Sequence, residues 1–488
     1  MRTTDAAKLA EWAHGELVGQ DRPVGPDVVI DARQATPGSI FVAIPGEKVD
    51  GHDFTAQAAA KGAAAVICTR VTDADLAHIV VEDSVQGLSR LARGVVAQER
   101  ERGLVTLAVT GSSGKTSTKD LLAQLLEVAG PTVSPVGSFN NEIGVPLTAC
   151  GVTEKTRFLV SEMGARGLGH VAWLCSLTAP QISLVLNIGT AHLGEFGSRE
   201  VIAQAKGEIV ECLPAEGWAV LNADDELVAG MAPRTSARLA WWTRTDWAAQ
   251  QGQRPAGALH VSARDIAANS LEQYGFTLVV ERDGHTEEQP VQLQLLGSHQ
   301  VSNALAAATA AIAAGCEPDQ LAAVLNAAVT RSPWRMQMDV RGDGAAILND
   351  AYNANPGSMA EAIASIGRIG VARRAVDPSA TVYAVLGDML ELGDDAEALH
   401  RRIGAQAAEA GVDEVIAVGE YAEQIVAGAH EAGGSARASQ RDQVAGSLPL
   451  KPADVVLVKA SRGLALEKVA EQLLAAGDDS CGMSGVQQ

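Results

Sequence analysis

The chain lacks any Cys-x-x-Cys pair. Its six cysteines, Cys68, Cys150, Cys175, Cys212, Cys316 and Cys481, are scattered over 488 residues. That pattern reads as small core residues and one tail residue in a reducing cytosol. Cationic excess is lacking too: 38 Lys and Arg stand against 59 Asp and Glu, a net charge of −21. Such a balance excludes non-specific nucleic-acid binding and adhesion to anionic membranes, but not an anion held by a locally basic site. The N-terminal Met1-Arg2-Thr3-Thr4-Asp5 has no apolar signal core, and no apolar run is long enough to span a bilayer. There is no short tandem repeat. Residues 477–488 are small and polar and are expected to be disordered.

What is present is 47% hydrophobic and 20% charged, the composition of a well-packed soluble protein. At roughly 150 residues per domain, the length predicts about three domains. The first ~100 residues read as a small α/β unit, with strands at 40–44, 63–67 and 79–81 and helices at 54–61 and 85–97. The polar, glycine-punctuated stretch 45–53 suits either a ligand loop or a plain connection. From 104 onward strand and helix alternate: strands at 104–109, 158–160 and 182–186, helices at 117–128, 170–177 and 200–213. That order predicts a parallel sheet with helices on both faces. Residues 258–296 read as a β-rich insertion with a hairpin, followed by a helix at 302–314. Ser332-Pro333-Trp334-Arg335 marks a second boundary. Beyond it, strands are expected at 345–348, 380–386, 414–418 and 455–459, with helices at 358–369, 396–410, 421–432 and 464–475.

The most informative stretch is Thr110-Gly111-Ser112-Ser113-Gly114-Lys115-Thr116-Ser117. It follows an apolar strand and opens a helix. Strand, glycine turn and helix start form a phosphate cradle, in which backbone N–H groups and the helix N-terminus face the anion. Lys115 is placed for the outer phosphates and Thr116 for Mg²⁺. Only two residues separate Gly111 from Gly114-Lys115, so this is a shortened relative of the usual loop.

Other polar residues fall near the same sheet edge. Glu162 ends the run 158–161, where open parallel sheets bind ligands, and suits Mg²⁺ or its water as well as a solvated strand end. His192 follows the strand 182–186 and suits a metal or a structural role. Lys206, in a helical run, is by spacing alone a surface lysine. Asn303 near a helix start suits an adenine edge or a cap. Asp350-Ala351-Tyr352-Asn353-Ala354-Asn355-Pro356 closes a strand and faces a ligand, a neighbouring domain or simply the next helix.

With these residues the chain resembles the Mur ligase superfamily of ATP-dependent amide-bond-forming enzymes of cell-wall synthesis. The resemblance covers roughly residues 27–475. It is carried by residues 110–119 and by Asn140-Asn141-Glu142-Ile143-Gly144-Val145-Pro146, Ser161-Glu162-Met163-Gly164-Ala165, Ala191-His192-Leu193 and Ala205-Lys206-Gly207-Glu208-Ile209. Residues 350–356 and Leu386-Gly387-Asp388-Met389-Leu390-Glu391-Leu392-Gly393 complete it. The last two look particular to the branch that joins D-alanyl-D-alanine to a UDP-N-acetylmuramoyl-tripeptide. The Asp-Asn-Pro-Arg motif of the sister branch that adds the third amino acid is absent.

The resemblance implies an α/β fold of three domains. These are a smaller N-terminal α/β domain for the UDP-sugar peptide (1–101), a central parallel-sheet phosphate-loop ATPase domain (102–332) and a mobile, Rossmann-like C-terminal domain (333–476). It implies ATP, Mg²⁺ at two sites, and a CO₂-derived carbamate on Lys206. It implies a carboxylate phosphorylated to an acyl phosphate and then attacked by the dipeptide amine. By position, Lys115, Lys206, His192 and Glu162 match catalytic residues. Thr116, Glu162, His192 and carbamylated Lys206 match metal ligands. Gly111, Ser112, Ser113, Gly114, Lys115, Thr116, Ser117, Asn303 (adenine), Arg335 and Asp350 (ribose) match the ATP site. Asp31, Arg33, Asp50, His52, Asn140, Asn141, Tyr352, Asn353 and Asn355 match substrate contacts. The segment Lys459-Ala460-Ser461-Arg462 resembles one that closes over the site, with Ser332-Pro333 as the hinge. Many relatives carry Asp-Ser-Arg where this chain has Asp31-Ala32-Arg33.

The expected partners are UDP-N-acetylmuramoyl-tripeptide and D-alanyl-D-alanine, with no nucleic acid and no membrane. The expected form is a cytoplasmic monomer. Two other readings stand beside this one: a sister muramyl or folylpolyglutamate-type ligase, and a nucleotide switch that uses ATP for conformational control without a second substrate.

Overall fold

A computed structural model describes residues 1–46, 48–189, 196–247 and 256–481, with side chains to 476. Among them lie three main sheets, of five, nine and six strands, and each has its own buried clusters. No helix among the described residues is long and apolar enough to cross a membrane.

The N-terminal sheet runs Glu16–Val18, Ala77–Val80, Ala65–Cys68, Ile40–Val42, Val28–Val29, parallel except at its first pair. Helix Ser84–Arg100 covers it with Leu88, Leu91, Val95 and Val96. These apolar residues recur at three- and four-residue spacing, so one stripe of the helix is buried. Asp83 caps its start by accepting the Gln86 N–H.

In the nine-stranded sheet Val105–Thr110 lies between Phe158–Glu162 and Ile182–Val185, all parallel. Trp218–Asn222, Arg238–Thr243 and Leu259–Ala268 extend it in parallel. The chain leaves Val105–Thr110 toward the edge strand Thr132–Val133 and leaves its neighbour Ile182–Val185 toward Trp218–Asn222 on the opposite side, so the connections from these two adjacent strands diverge. That makes their carboxyl ends a switch point, the place where open α/β sheets form a crevice. One face is packed by helices Lys115–Glu127 and His299–Ala313, the other by His170–Thr178 and Arg199–Glu211.

Two expectations change here. Residues 258–296 are not an insertion. Leu259–Ala268, Gln273–Arg282 and His285–Leu296 are the edge of the same sheet, and the last two strands add antiparallel through a hairpin. Their alternating pattern presents Phe276, Leu278 and Val280 to the main core, which a detached hairpin would leave in water. The last helix also runs further than expected. Helix Glu467–Cys481 continues through Gly477, since a single glycine costs a helix only about 1 kcal/mol. Residues 482–488 lie outside the described residues. Cys212, taken for a core residue, is exposed at the end of helix Arg199–Glu211, while Cys68, Cys150, Cys175 and Cys316 are buried.

The third sheet runs Gln337–Val340, Ala346–Asn349, Val455–Lys459, Val382–Gly387, Glu414–Val418, Ser435–Ala438, parallel but for its first strand. Its helices Ala396–Glu409 and Ala422–Glu431 approach closely. A Cβ on Gly404 would lie 1.9 Å from the Ile425 carbonyl oxygen, and one on Gly428 1.7 Å from that of Arg401. Both obstacles are backbone, so the helices themselves would have to part. Gly404→Ala should therefore lower stability by about 1–3 kcal/mol or more, read as a fall in Tm. Gly446→Ala, where nothing lies within 4 Å, is the matched control and should leave Tm unchanged.

Candidate active site

The loop after strand Val105–Thr110 turns into helix Lys115–Glu127 through Gly114, whose φ is +80°. A Cβ there would also meet Asn303 Oδ1 at 2.6 Å, so glycine is needed twice over. The Lys115 ammonium folds back to donate to the Gly111 carbonyl at 2.8 Å. The Ser113 N–H donates to Asn187 Oδ1 at 2.9 Å, and the Gly189 N–H to Ser112 Oγ at 2.9 Å. The loop is thus braced by the segment that follows the neighbouring strand.

Asn303 is not a cap. It lies one turn inside helix His299–Ala313, where Ser298 holds the cap position. Its Oδ1 accepts from Thr118 Oγ1 at 3.2 Å and its Nδ2 donates to Gln300 Oε1 at 2.9 Å. It joins the two helices that flank the phosphate loop.

Glu162 ends strand Phe158–Glu162, in register with Val109, and is buried. Its Oε1 accepts from Asn140 Nδ2 at 2.8 Å, whereas Oε2 is buried without a partner. An unpaired carboxylate oxygen is costly to bury and suits a cation ligand. Thr116 Oγ1 accepts from Arg335 Nη2 at 3.0 Å. The Arg335 guanidinium also stacks 4.1 Å over the Tyr352 ring, and the Tyr352 hydroxyl bonds to Ser138.

Lys206 is not a surface lysine: its exposure is 2%. Helix Arg199–Glu211 turns it inward, and Glu208 pins the helix by accepting from the Gly169 and Ala172 N–H groups at 2.6 and 2.9 Å. Burial, with Lys115 nearby, holds the Lys206 amine well below the usual lysine range. Burial also lowers Lys115, against the pull of Glu162. His192, Ala191 and Leu193 lie outside the described residues.

From the third sheet come Asp350 and Lys459. Lys459 Nζ pairs with Asp350 Oδ2 at 2.5 Å and donates to the Asn353 carbonyl at 2.9 Å. Asp350 Oδ1 accepts from the Met336 N–H at 3.0 Å. Asn355 caps helix Pro356–Val376, in a reciprocal box with Ser358. Asn141 accepts from the Gly144 N–H at 2.9 Å.

These residues meet around one cavity of about 630 Å³. Its lining includes Ser112 to Ser117, Asn140, Asn141, Glu162, Lys206, Asn303, Arg335, Asp350, Tyr352, Asn353, Asn355 and Lys459. Gly111 stands just behind it as the acceptor for Lys115. Asp31, Arg33, Asp50 and His52 are not brought to it. Asp31 is paired with Arg33 at 2.8 Å, which holds its carboxyl at about 2. His52 is buried, bonded through Nδ1 to Asp50 at 2.6 Å and through Nε2 to the Thr69 N–H at 2.9 Å, so it ties down the 45–53 loop. Sequence reasoning missed Arg166, Arg244, His299 and Glu361, which also line the cavity. Asn187 was findable, since it lies just past the carboxyl end of Ile182–Val185.

Comparison with known proteins supplies the rest. The chain matches the Mur ligase family catalytic domain over residues 27–97, the Mur ligase middle domain over 109–311, and the Mur ligase glutamate ligase domain over 334–462. It is 39% identical to the UDP-N-acetylmuramoyl-tripeptide--D-alanyl-D-alanine ligase of Mycobacterium tuberculosis H37Rv, over 98% of each chain. To the enzyme of that name from Escherichia coli K12 it is 35% identical, over 97% of this chain and 99% of the other. Crystalline MurF from Acinetobacter baumannii superposes with a TM-score of 0.81 at 28% identity, over 97% of this chain and 99% of that one. MurF from Thermotoga maritima, solved in complex with ADP, gives 0.74 at 27% identity, over 93% and 98%. By sequence and by three-sheet architecture, the chain belongs to the Mur ligase family.

Proposed function

We propose that this chain is the ligase that adds D-alanyl-D-alanine to UDP-N-acetylmuramoyl-tripeptide, driven by ATP, giving the UDP-MurNAc-pentapeptide of peptidoglycan synthesis. The observation that carries the reading is full-length identity of 39% to a ligase of that name, joined to one cavity holding a phosphate loop. The three units are read as a UDP-sugar-peptide domain (1–101), an ATPase domain (102–332) and a C-terminal domain (333–476). The protein is read as a cytoplasmic monomer.

The chemistry follows from charge. The substrate carboxylate and the γ-phosphate are both anions and repel. Lys115, on leaving the Gly111 carbonyl, and the N–H groups at the start of helix Lys115–Glu127 would meet the phosphates, and Arg335 reaches the same ground from the C-terminal side. They offset the repulsion while the carboxylate oxygen attacks phosphorus and ADP departs, leaving an acyl phosphate. The neutral amine of the dipeptide then adds to the acyl carbon, the nitrogen gives up a proton, and collapse of the tetrahedral intermediate expels phosphate. Asn303 suits the adenine edge and Asp350 the ribose, each once it exchanges its present partners.

Glu162, with its unpaired buried oxygen, fits a divalent cation, as does the Thr116 hydroxyl. His192 and Lys206 are read as the remaining ligands. Mg²⁺ bound there supplies charge neutralisation at the phosphoryl oxygens. Lys206 fits a carbamate for a physical reason. Burial makes the amine lose its proton more readily, the neutral form is nucleophilic toward CO₂, and the product is an anion beside a site rich in positive charge.

Product mass tests the reaction itself. With ATP, the nucleotide-sugar tripeptide and D-alanyl-D-alanine, the product should gain the dipeptide mass, and phosphate should appear only when both acceptor and amine are present. ATP turnover without that mass, or phosphate release without the amine, would reject the assignment and favour a nucleotide switch. Lys115→Ala should lower kcat roughly 10²–10³-fold, ~3–4 kcal/mol, in a phosphate-release assay. At Lys206 the two variants should part company. Lys206→Ala should be nearly inactive and partly rescued by small carboxylates, and wild-type activity should fall when CO₂ is depleted. Lys206→Arg should be inactive and unrescued, since it leaves a cation in place, and an active Lys206→Arg enzyme would end the carbamate reading.

A further inference from the structure

The segment that links the central unit to the C-terminal one is laced along helix Lys115–Glu127. Gln124 holds Val329 from both sides: its Nε2 donates to the Val329 carbonyl at 3.1 Å, and its Oε1 accepts the Val329 N–H at 3.1 Å. Both guanidinium ends of Arg331 reach Glu127 at 2.6 Å. The Ser332 N–H donates to Asp120 Oδ2 at 2.9 Å, and the buried Lys119 ammonium is paired with Asp120 and donates to the Pro135 carbonyl at 2.8 Å. Finally Arg335 reaches Thr116. The helix positions used are 116, 120, 124 and 127, steps of four, four and three residues, which lie on one face.

This moves the expected hinge. Ser332 is buried and fixed to the central helix. Trp334 already belongs to the other side, because its carbonyl accepts the Tyr352 N–H at 3.2 Å. The free joint is therefore Pro333–Trp334. Proline leaves only its ψ to turn there, and Trp334 holds a left-handed φ of +60°. With so short a joint, the reach of Arg335 depends on where residues 329–332 are held.

We propose that residues 329–332 are a strap, and that Asp120 and Gln124 are positioning residues which act through it to set Arg335 against the transferring phosphate. The proposal rests on Arg335 meeting the nucleotide, as read above. The strap runs back along the very helix whose first turn carries Lys115 and Thr116. It therefore registers the C-terminal unit against the phosphate loop without touching the nucleotide.

Steady-state kinetics on the full chain test it. Gln124→Leu preserves bulk and removes both bonds to Val329. Its kcat should fall about tenfold, while KM for ATP stays within about twofold, because the phosphate loop is untouched. Asp120→Asn should show the same split. A kcat within twofold of wild type, or a fall in Tm with no change in kcat, overturns the strap. Arg335→Ala is the control on the underlying reading. If it keeps wild-type kcat, Arg335 does not meet the nucleotide and that reading fails. If it is inactive while Gln124→Leu is normal, only the strap fails. Should both strap variants fold poorly, hydrogen exchange on the wild type decides. The Val329 and Ser332 amides should keep equal protection with and without a non-hydrolysable ATP analogue, while those of 334–336 change. A change shared by 329–336 as a block overturns the proposal.

Discussion

Desolvated positive charge is the constraint on which the rest of this structure depends. Lys206 is taken out of water and Lys115 is half-buried near the carboxyl ends of parallel strands, and among the described residues neither makes an ion pair. Burying an ammonium without a partner is expensive. The Lys206 amine answers by losing its proton more readily, and Lys115 by donating to the Gly111 carbonyl. Anionic phosphates, or an anion built on Lys206 itself, would lift that cost. The unpaired Glu162 oxygen is the converse, a buried acceptor lacking a cation. The apolar core on both faces of the nine-stranded sheet is what holds these groups in place.

The second requirement is that two separately folded units share one cavity. Central residues supply the phosphate loop, Glu162 and Lys206; the third sheet supplies Asp350, Tyr352 and Lys459. Besides the laced linker, the units meet at Glu272, a buried acid with φ +61°, which pairs with Arg368 of helix Pro356–Val376 at 2.7 Å. Ser138 and Tyr352 meet across the cavity itself. Leu296, from the edge strand of the central sheet, adds an apolar contact by packing into the core of the third sheet.

The branch motif at 386–393 is built as a scaffold. Asp388 accepts the Glu420 and Tyr421 N–H groups at 2.8 and 3.0 Å. His400 accepts the Met389 N–H at 2.8 Å, and Ser461 Oγ that of Leu390 at 3.0 Å. With three successive residues tied down, Glu391 takes a left-handed φ of +64° and reaches the cavity lining.

Much of this was legible in the chain. The phosphate loop is local: glycine, lysine and threonine at fixed offsets between a strand and a helix can only make one kind of turn. Strand–helix alternation is likewise a local periodicity, and it located most elements to within a few residues. Strands Glu414–Val418 and Val455–Lys459 fall where their apolar runs do. Tertiary structure decided the rest. Spacing alone leaves Lys206 a surface lysine, and only the resemblance at 205–209 set it apart; its burial came from the way helix Arg199–Glu211 packs on the sheet. Asn303 has the composition of a cap, but it is a brace because Thr118, 185 residues earlier, lies opposite. Residues 258–296 alternate like any hairpin, and only the open edge of the parallel sheet made them part of it. Short-range pattern determines which elements form and where a phosphate turn lies. Which charges are buried together, and which faces meet, depends on contacts between residues far apart in sequence, and those the fold alone brings into range.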